Sequence, residues 1–219
     1  MNPDLPYLVE IPVLVKDDKE QWELFKNSNY TIKPAVRGID YWKGWVDGIY
    51  TNTGGRQRGF YWNLEFPWQV VRGIVYEEDI SSLSSKIMEW GEEFIWIPPA
   101  HEGINLEHTD IKRLSKYFTY VFAQPNYYQG ETTDFKKWFN IFKSLKKEHQ
   151  LDNLFIEMEC DGKVSLHNSK TAAKYKEKAC AYVKYTKDYP HRAYYYDANI
   201  QNIQEMEEYC YDKGKKYVF

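Results

Sequence analysis

Two glutamates stand two positions apart in a segment that otherwise has the character of a buried β-strand. Glu157 and Glu159 belong to residues 153–160 (NLFIEMEC). Side chains alternate between the two faces of a strand, so both glutamates share a face with Phe155. A buried carboxylate is costly unless it is paired, hydrogen-bonded or used in chemistry. The spacing therefore indicates a functional acid pair. The structural alternative is an ion pair with an arginine such as Arg37, Arg58 or Arg192.

A third glutamate closes another apolar segment of strand character. Residues 58–65 (RGFYWNLE) end at Glu65, and Tyr61 and Asn63 share its face. Facing carboxylates between aromatic walls suit glycoside hydrolysis, because one acid protonates the leaving oxygen while the other attacks the anomeric carbon or activates water. These residues therefore predict an enzyme that acts on a carbohydrate.

The two glutamates of the first segment are expected to differ in exposure. Glu159 lies one pleat nearer the carboxyl end of the strand than Glu157, and alternation predicts that both point into the mouth of a barrel and away from the helices. We therefore expect Glu159 to be the more exposed of the two. Glu157 should be the more buried, with the larger rise in pKa from desolvation.

Further polar and aromatic side chains near the strand ends are candidates for ligand binding. Tyrosine and tryptophan rings can pack on a ligand while their OH or NH group stays solvated, and aromatic residues make up 18% of the chain. The candidates for substrate contact are Tyr61, Asn63, Trp96, His101, Gln124, Asn126, Tyr128, Tyr195 and Asp197. Each aromatic ring has core packing as its alternative role, and the amides and Asp197 have loop capping.

Six apolar segments of strand length alternate with longer segments of helical period. Strands are expected at 7–15, 58–65, 94–98, 120–124, 153–160 and 192–197. Helices are expected at 18–27, 37–50, 77–91, 109–116, 133–149, 169–187 and 200–213. This alternation is typical of a parallel sheet covered by helices, in which functional side chains collect at the carboxyl strand ends. No glycine-rich phosphate loop follows the first strand, so we expect an α/β fold, a TIM-type (β/α) barrel with about six of the usual eight strands.

Four of these segments also carry a family resemblance. Residues 59–65 (GFYWNLE), 94–100 (FIWIPPA), 120–128 (YVFAQPNYY) and 154–162 (LFIEMECDG) resemble, in order, successive motifs of a bacterial domain-of-unknown-function family (DUF 4855). The segments EIP and RAYYYD are similar to an earlier strand and to the last strand of that family. The resemblance covers nearly the whole chain and implies a TIM-type barrel similar to glycoside hydrolases.

The resemblance also implies roles for the acids. Glu65 would end the family's fourth strand, and Glu157 and Glu159 would end its seventh. These positions are similar to those of the acid/base and the nucleophile in retaining glycosidases, so we expect Glu65 to be the general acid/base and Glu157 or Glu159 the nucleophile. Two features depart from the family: its first two strands have no counterpart, and residues 98–100 (PPA) replace a Pro-Tyr-Tyr ending.

Composition argues against several other classes of protein. A net charge of −3 without a basic stripe argues against nucleic-acid binding. No apolar run reaches the roughly 18 residues of a membrane span and no leader is evident, so we expect a single cytoplasmic domain over residues 1–219. Cys160, Cys180 and Cys210 are widely spaced, which predicts reduced buried thiols. Neither the cysteines nor the histidines show metal-ligand spacing, so no metal or cofactor is expected.

The expected sheet has an edge at its first strand. An open parallel sheet leaves unpaired NH and CO groups along such an edge. Residues 37–50 carry Tyr41, Trp42 and Trp45, more aromatic surface than one short helix needs. We therefore expect a homodimer through the first-strand edge. The alternatives to an enzyme are a non-catalytic glycan-binding protein and a structural or assembly protein on a degenerate barrel.

Overall fold

The computed structural model describes residues 7–13, 38–164, 172–195 and 201–212. Within these ranges the strands are β1 (Leu8–Ile11), β2 (Gly59–Trp62), β3 (Glu93–Trp96), β4 (Tyr120–Ala123), β5 (Leu154–Glu159) and β6 (Ala193–Tyr195). Each strand overlaps one predicted segment, so the strand prediction is confirmed.

The helices follow the predicted helical period. They are α1 (Ile39–Thr53), α2 (Glu77–Glu89), α3 (Ile111–Leu114), α4 (Phe135–Glu148), α5 (Ala172–Tyr185) and α6 (Gln201–Asp212), with single 3-10 turns at Leu106–His108, Ser115–Tyr117 and Gly162–Val164. The segment expected to form one helix at 109–116 is α3 followed by a 3-10 turn. The helix expected at 18–27 lies outside the described residues. Among the helices described, none has the length and apolar character that crossing a membrane would need.

The chain divides into two compact units. The first comprises Met1–Pro98 and Glu107–Val121, and the second comprises Pro99–Leu106 and Phe122–Phe219. In the first unit β1, β2, β3 and the start of β4 pair in parallel and in chain order. In the second unit the order continues through β4, β5 and β6, and β5 pairs in parallel with β6. The α/β class with parallel strands is therefore confirmed.

The pairing of β2 with β3 depends on a glycine. Gly59 lies opposite Glu93 in the parallel register. A Cβ atom at Gly59 would lie 2.1 Å from the Glu93 carbonyl oxygen and 2.7 Å from its amide nitrogen. Both neighbours are backbone atoms, which cannot withdraw without shifting the strand. Glycine at this position therefore permits the close approach of the two strands.

Aromatic side chains form the core of the first unit. Trp42 of α1 meets Trp62 of β2 edge to face, with ring centroids 5.1 Å apart. Trp62 in turn meets Phe94 of β3, and Phe94 packs on Phe118 at 4.5 Å. This continuous aromatic contact buries one face of β2 and β3, as the alternation of their residues predicts.

Helix α4 supplies much of the core of the second unit. Its predicted apolar stripe is buried and consists of Phe135, Trp138, Phe139, Phe142 and Leu145. The preceding Asp134 caps the helix, because its side chain accepts a hydrogen bond from the Lys137 amide at 3.0 Å. The helix predicted over residues 133–149 is therefore confirmed.

The expectation of three reduced cysteines is wrong for two of them. Cys180 of α5 and Cys210 of α6 form a disulfide across 30 positions of sequence, with Cα atoms 5.5 Å apart. Cys160 is a free, buried thiol. The two bonded cysteines meet because α5 packs against α6, a contact that their spacing in the sequence does not reveal.

Candidate functional site

Glu159 ends β5 and is held by two hydrogen-bond donors. Its Oε2 accepts from the Tyr182 hydroxyl at 2.5 Å and from the Tyr128 amide at 2.8 Å. Tyr182 lies on α5, so the carboxyl group points at a helix, and the direction expected from alternation is wrong at this residue. The expected order of exposure is also reversed, because Glu159 is 3% exposed and Glu157 is 8% exposed. The direction of this side chain therefore follows from its two donors, the Tyr182 hydroxyl on α5 and the Tyr128 amide.

The second carboxyl oxygen of Glu159, Oε1, differs from Oε2 in its hydrogen bonding. Oε1 is buried and accepts no hydrogen bond from the described residues. Burial raises the pKa of the Glu159 carboxyl, and the hydrogen bonds from Tyr182 and Tyr128 and the nearby charge of Lys178 oppose that rise.

The loop after β4 supplies two consecutive amide donors. Asn126 adopts φ of +49°, in the left-handed region, and turns the chain so that the amides of Tyr127 and Tyr128 point toward α5 and β5. The Tyr127 amide donates to the Tyr182 hydroxyl at 3.2 Å, which leaves that hydroxyl to donate to Glu159. The hydroxyl of Tyr182 is therefore oriented from both sides.

Tyr128 connects this group to the residues that follow β5. Its hydroxyl donates to Asp161 Oδ1 at 2.5 Å, and the Lys163 amide donates to the same oxygen at 2.9 Å. The Tyr128 ring packs at 4.6 Å from the ring of Tyr175, and the Lys163 ammonium lies 5.5 Å from the Tyr128 ring centroid. Tyr128 is buried, so it acts here as a packed hydrogen-bonding residue with no free face.

Two of the arginines proposed as structural partners of the glutamate pair bond to other groups. Arg58 pairs with Glu93 at 2.7 Å, and Arg192 donates to the carbonyls of Thr186 and Lys187. Arg37 lies outside the described residues. The observed partners of Glu159 are thus a hydroxyl and an amide. Among the residues that the structure describes, none forms an ion pair with this carboxyl group.

Glu65 lies in the first unit, at the carboxyl end of β2. The Tyr61 hydroxyl donates to Glu65 Oε1, so two of the predicted site residues are in direct contact. Asn63 accepts from the Val13 amide at 2.8 Å and donates to Glu10 Oε1 at 2.7 Å. Two hydrogen-bonded pairs of polar side chains, Tyr61–Glu65 and Asn63–Glu10, therefore lie on β1, on β2 and just after β2. Glu10 is exposed, and Tyr61, Asn63 and Glu65 are half-buried.

Two other residues that were predicted to contact a ligand, His101 and Asn126, have the same partner, Glu131, in the second unit. The His101 ring nitrogen Nε2 lies 3.4 Å from Glu131 Oε2, and Asn126 Nδ2 donates to that oxygen at 2.8 Å. Gln124 uses its backbone carbonyl to accept from the Ala100 amide. The loop-capping alternative thus has support at Asn126.

The remaining candidates for ligand contact differ in the solvent exposure of their side chains. Trp96 is completely buried, donates to the Leu64 carbonyl and stacks on Phe118, so it has no ring face for a sugar in this conformation. Core packing, the alternative given for each aromatic candidate, is therefore the role that the structure shows for Trp96. Tyr195, at the end of β6, is 46% exposed and remains available. Asp197 lies outside the described residues.

Sequence reasoning missed three contributors, namely Tyr182, Asp161 and Glu131. Tyr182 lies among the core positions of an amphipathic helix, where its spacing does not distinguish it from packing residues. Asp161 follows directly on the glutamate-containing strand, and its position gave a usable signal. Glu131 lies in the polar loop before α4, where an acidic residue is ordinary.

Comparison with known proteins gives one relationship. No protein-family model matches the sequence. The chain is similar to the uncharacterized protein MJ0957 of Methanocaldococcus jannaschii, with 33% identity over 243 residues. The match covers 91% of this chain and 67% of that protein. The similarity therefore shows that this chain is related to the archaeal protein. The name of that relative states no activity.

Proposed function

The chain belongs to the family of the Methanocaldococcus jannaschii protein MJ0957, and within that family we propose that it is a carbohydrate-active enzyme, a glycoside hydrolase on an incomplete TIM-type barrel. The barrel and the kinship with DUF 4855 are part of the proposal and rest on the resemblance of the strand motifs. The parallel strands in chain order support them, because this pairing is the one that a (β/α) barrel uses.

The observation that carries the proposal is the polar group at the carboxyl ends of β1 and β2. Glu65 is half-buried and receives a hydrogen bond from Tyr61, which orients a carboxyl group at a strand end. Asn63 and Glu10 add groups that can bond sugar hydroxyls beside it. Glu65 is therefore proposed as the general acid/base.

The nucleophile is proposed to be Glu157 or Glu159, and the contacts of Glu159 leave Glu157 as the better candidate. A nucleophilic carboxylate must be ionised and reachable by the anomeric carbon. Glu159 already has two donors on Oε2, and its Oε1 is buried. Its role in the proposal is to hold the loop that contains Tyr128.

A non-catalytic glycan-binding or structural protein is the second candidate. The burial of Oε1 in Glu159 and the loss of Trp96 to the core favour it, because both features reduce the reactive surface. Such a protein would retain glycan binding through the exposed Glu10 and the half-buried Asn63 and would release no sugar.

Three matched substitutions distinguish these candidates. Glu65→Gln and Glu157→Gln should abolish hydrolysis of a responsive polysaccharide while glycan binding and the melting temperature stay close to those of the wild type. Glu159→Gln can keep its carbonyl oxygen on the two donors and should retain turnover. Reducing-sugar release and affinity electrophoresis on the same polysaccharide panel measure both properties. Binding without sugar release by the wild type would establish the second candidate, and full activity in Glu65→Gln would refute the enzyme proposal.

The homodimer is likewise proposed. On α1, Tyr41 and Trp45 are 36% and 38% exposed, and the Trp45 indole donates to the Glu10 carbonyl of β1 at 2.9 Å. Exposed aromatic surface beside the first strand suits an interface. Light scattering after gel filtration should give twice the chain mass, and a monomer of 26.3 kDa at micromolar concentration would refute the dimer.

A further inference from the structure

The disulfide of the second unit forms part of the wall of a cavity between α5 and α6. The cavity has a volume of about 340 Å³ and is open to solvent. Cys180, Cys210, Glu177 and Lys184 line it together with the rings of two tyrosines. This volume falls at the lower end of the range that holds small organic ligands. A covalent bond that a nucleophile can break is thus located in a space that a small molecule can enter.

The two sulfur-bearing residues differ in exposure. Cys180 is 8% exposed and Cys210 is 1% exposed. Thiol–disulfide exchange begins when a thiolate attacks one sulfur, and access decides which sulfur is attacked. The difference indicates Cys180 as the attacked residue and Cys210 as the leaving group.

Two charges flank Cys180 along α5. Lys184 lies four residues after it and Glu177 three residues before it, so both share its side of the helix and line the same cavity. The attacking thiolate is an anion, and negative charge passes to Sγ of Cys210 as the bond opens, so a cation that lines the same cavity favours the reaction and an anion disfavours it. The side chain of Lys184 therefore favours exchange, and that of Glu177 opposes it.

The third cysteine lacks these features. Cys160 is completely buried, and burial raises the pKa of its thiol to about 12. A thiol that remains protonated and inaccessible does not exchange. It therefore serves as an internal reference for reactivity in the same chain.

We propose that the cavity between α5 and α6 is a thiol–disulfide exchange site, which takes a low-molecular-weight thiol of the glutathione class and opens the Cys180–Cys210 bond in the folded protein. The ligand thiolate attacks Sγ of Cys180, a mixed disulfide forms, and the electron pair of the broken bond leaves on Sγ of Cys210, which takes a proton from solvent. A second thiol attacks the ligand sulfur of the mixed disulfide. It releases Cys180 as a thiol and forms the oxidised dimer of the ligand. The protein disulfide is thereby reduced by two thiols, and α6 loses its covalent link to α5.

Alkylation in native buffer tests the site. The full chain is incubated with increasing reduced glutathione, free thiols are trapped with iodoacetamide, and each cysteine is quantified by mass spectrometry. Cys210, freed by the first attack, and Cys180, freed by the second, should both become alkylated at rates that rise with glutathione concentration, while Cys160 stays unlabelled. A rate that is independent of glutathione and equal to the rate of global unfolding would overturn the proposal, and so would equal labelling of Cys160.

Two charge variants test whether the cavity controls the reaction. Lys184→Gln should slow reduction by roughly two- to fivefold and Glu177→Gln should accelerate it by a similar factor, the effects expected of single surface charges on a thiolate. Both residues are exposed, so the variants should fold as the wild type does. Equal rates for all three proteins would refute a role for the cavity. In Cys210→Ser, oxidised glutathione should modify Cys180 faster than it modifies Cys210 in Cys180→Ser, and the reverse order would refute the assigned direction of attack.

Discussion

Loss of the Cys180–Cys210 bond should destabilise the second unit by a predictable amount. The bond closes a loop across 30 positions of sequence. The chain-entropy relation for a cross-link of that span gives about 3.6 kcal/mol at 25 °C, because the unfolded chain regains the conformations that the bond excludes. Divided by an m-value of about 2–3 kcal/mol per molar urea, this corresponds to a fall in the unfolding midpoint of about 1–2 M.

Urea unfolding of the wild type with and without a strong dithiol reductant measures this difference. Reduction retains both sulfur atoms in the packed helices, so it isolates the cross-link better than substitution does. The variant with alanine at both positions is the control, and reductant should leave its midpoint unchanged. The reasoning fails if reduced wild type, with both thiols shown to be free by alkylation, unfolds at the same urea concentration as the oxidised protein.

Three further predictions concern backbone approach, ionisation and the buried hydroxyl. Gly59→Ala should lower the free energy of unfolding by about 3 kcal/mol, because the added Cβ would overlap backbone atoms of Glu93. Gly44→Ala places its Cβ where no other atom lies within 4 Å, so it should raise the free energy of unfolding by about 0.5–1 kcal/mol. Thermal melts of the two variants check both values. The hydrogen bond from Tyr117 and nearby cations hold the pKa of Glu77 at about 2, below its usual 4.5, so its stabilisation is complete above pH 4.5 and lost as the pH falls toward 2. Acid titration of stability should show this loss in the wild type and not in Glu77→Gln. Tyr182→Phe removes a donor from a buried carboxyl group and should cost about 1.5–3 kcal/mol in urea unfolding; an unchanged midpoint would contradict the assigned bond.

The strands and the long helices were predictable because their signals are local. Helix α4 combines a five-residue apolar stripe with an Asp134 cap, and β5 is a short segment that is apolar except at Glu157 and Glu159. Each pattern depends on side chains within one element, where period and propensity determine the outcome. The bounds of these elements therefore differ from the predicted ones by only a few residues.

The site was less predictable because it depends on contacts between elements. The direction of Glu159, which alternation predicted wrongly, depends on donors from the loop at Tyr128 and from Tyr182 on α5. The disulfide likewise depends on the packing of α5 against α6. Such partners are distant in sequence, and a single chain offers no periodicity that identifies them.

Pairing of the strands in chain order has a consequence for biosynthesis. Every strand of the first unit finds its hydrogen-bonding neighbour in the segment made just before or just after it, and the unit is complete once residue 121 has been made. Sequence-adjacent pairing keeps the closed loops short and limits the time for which strand edges are exposed. The first unit can therefore fold while the ribosome is still adding the second, and newly made chains need not wait for their carboxyl end before they bury the aromatic residues of β2 and β3.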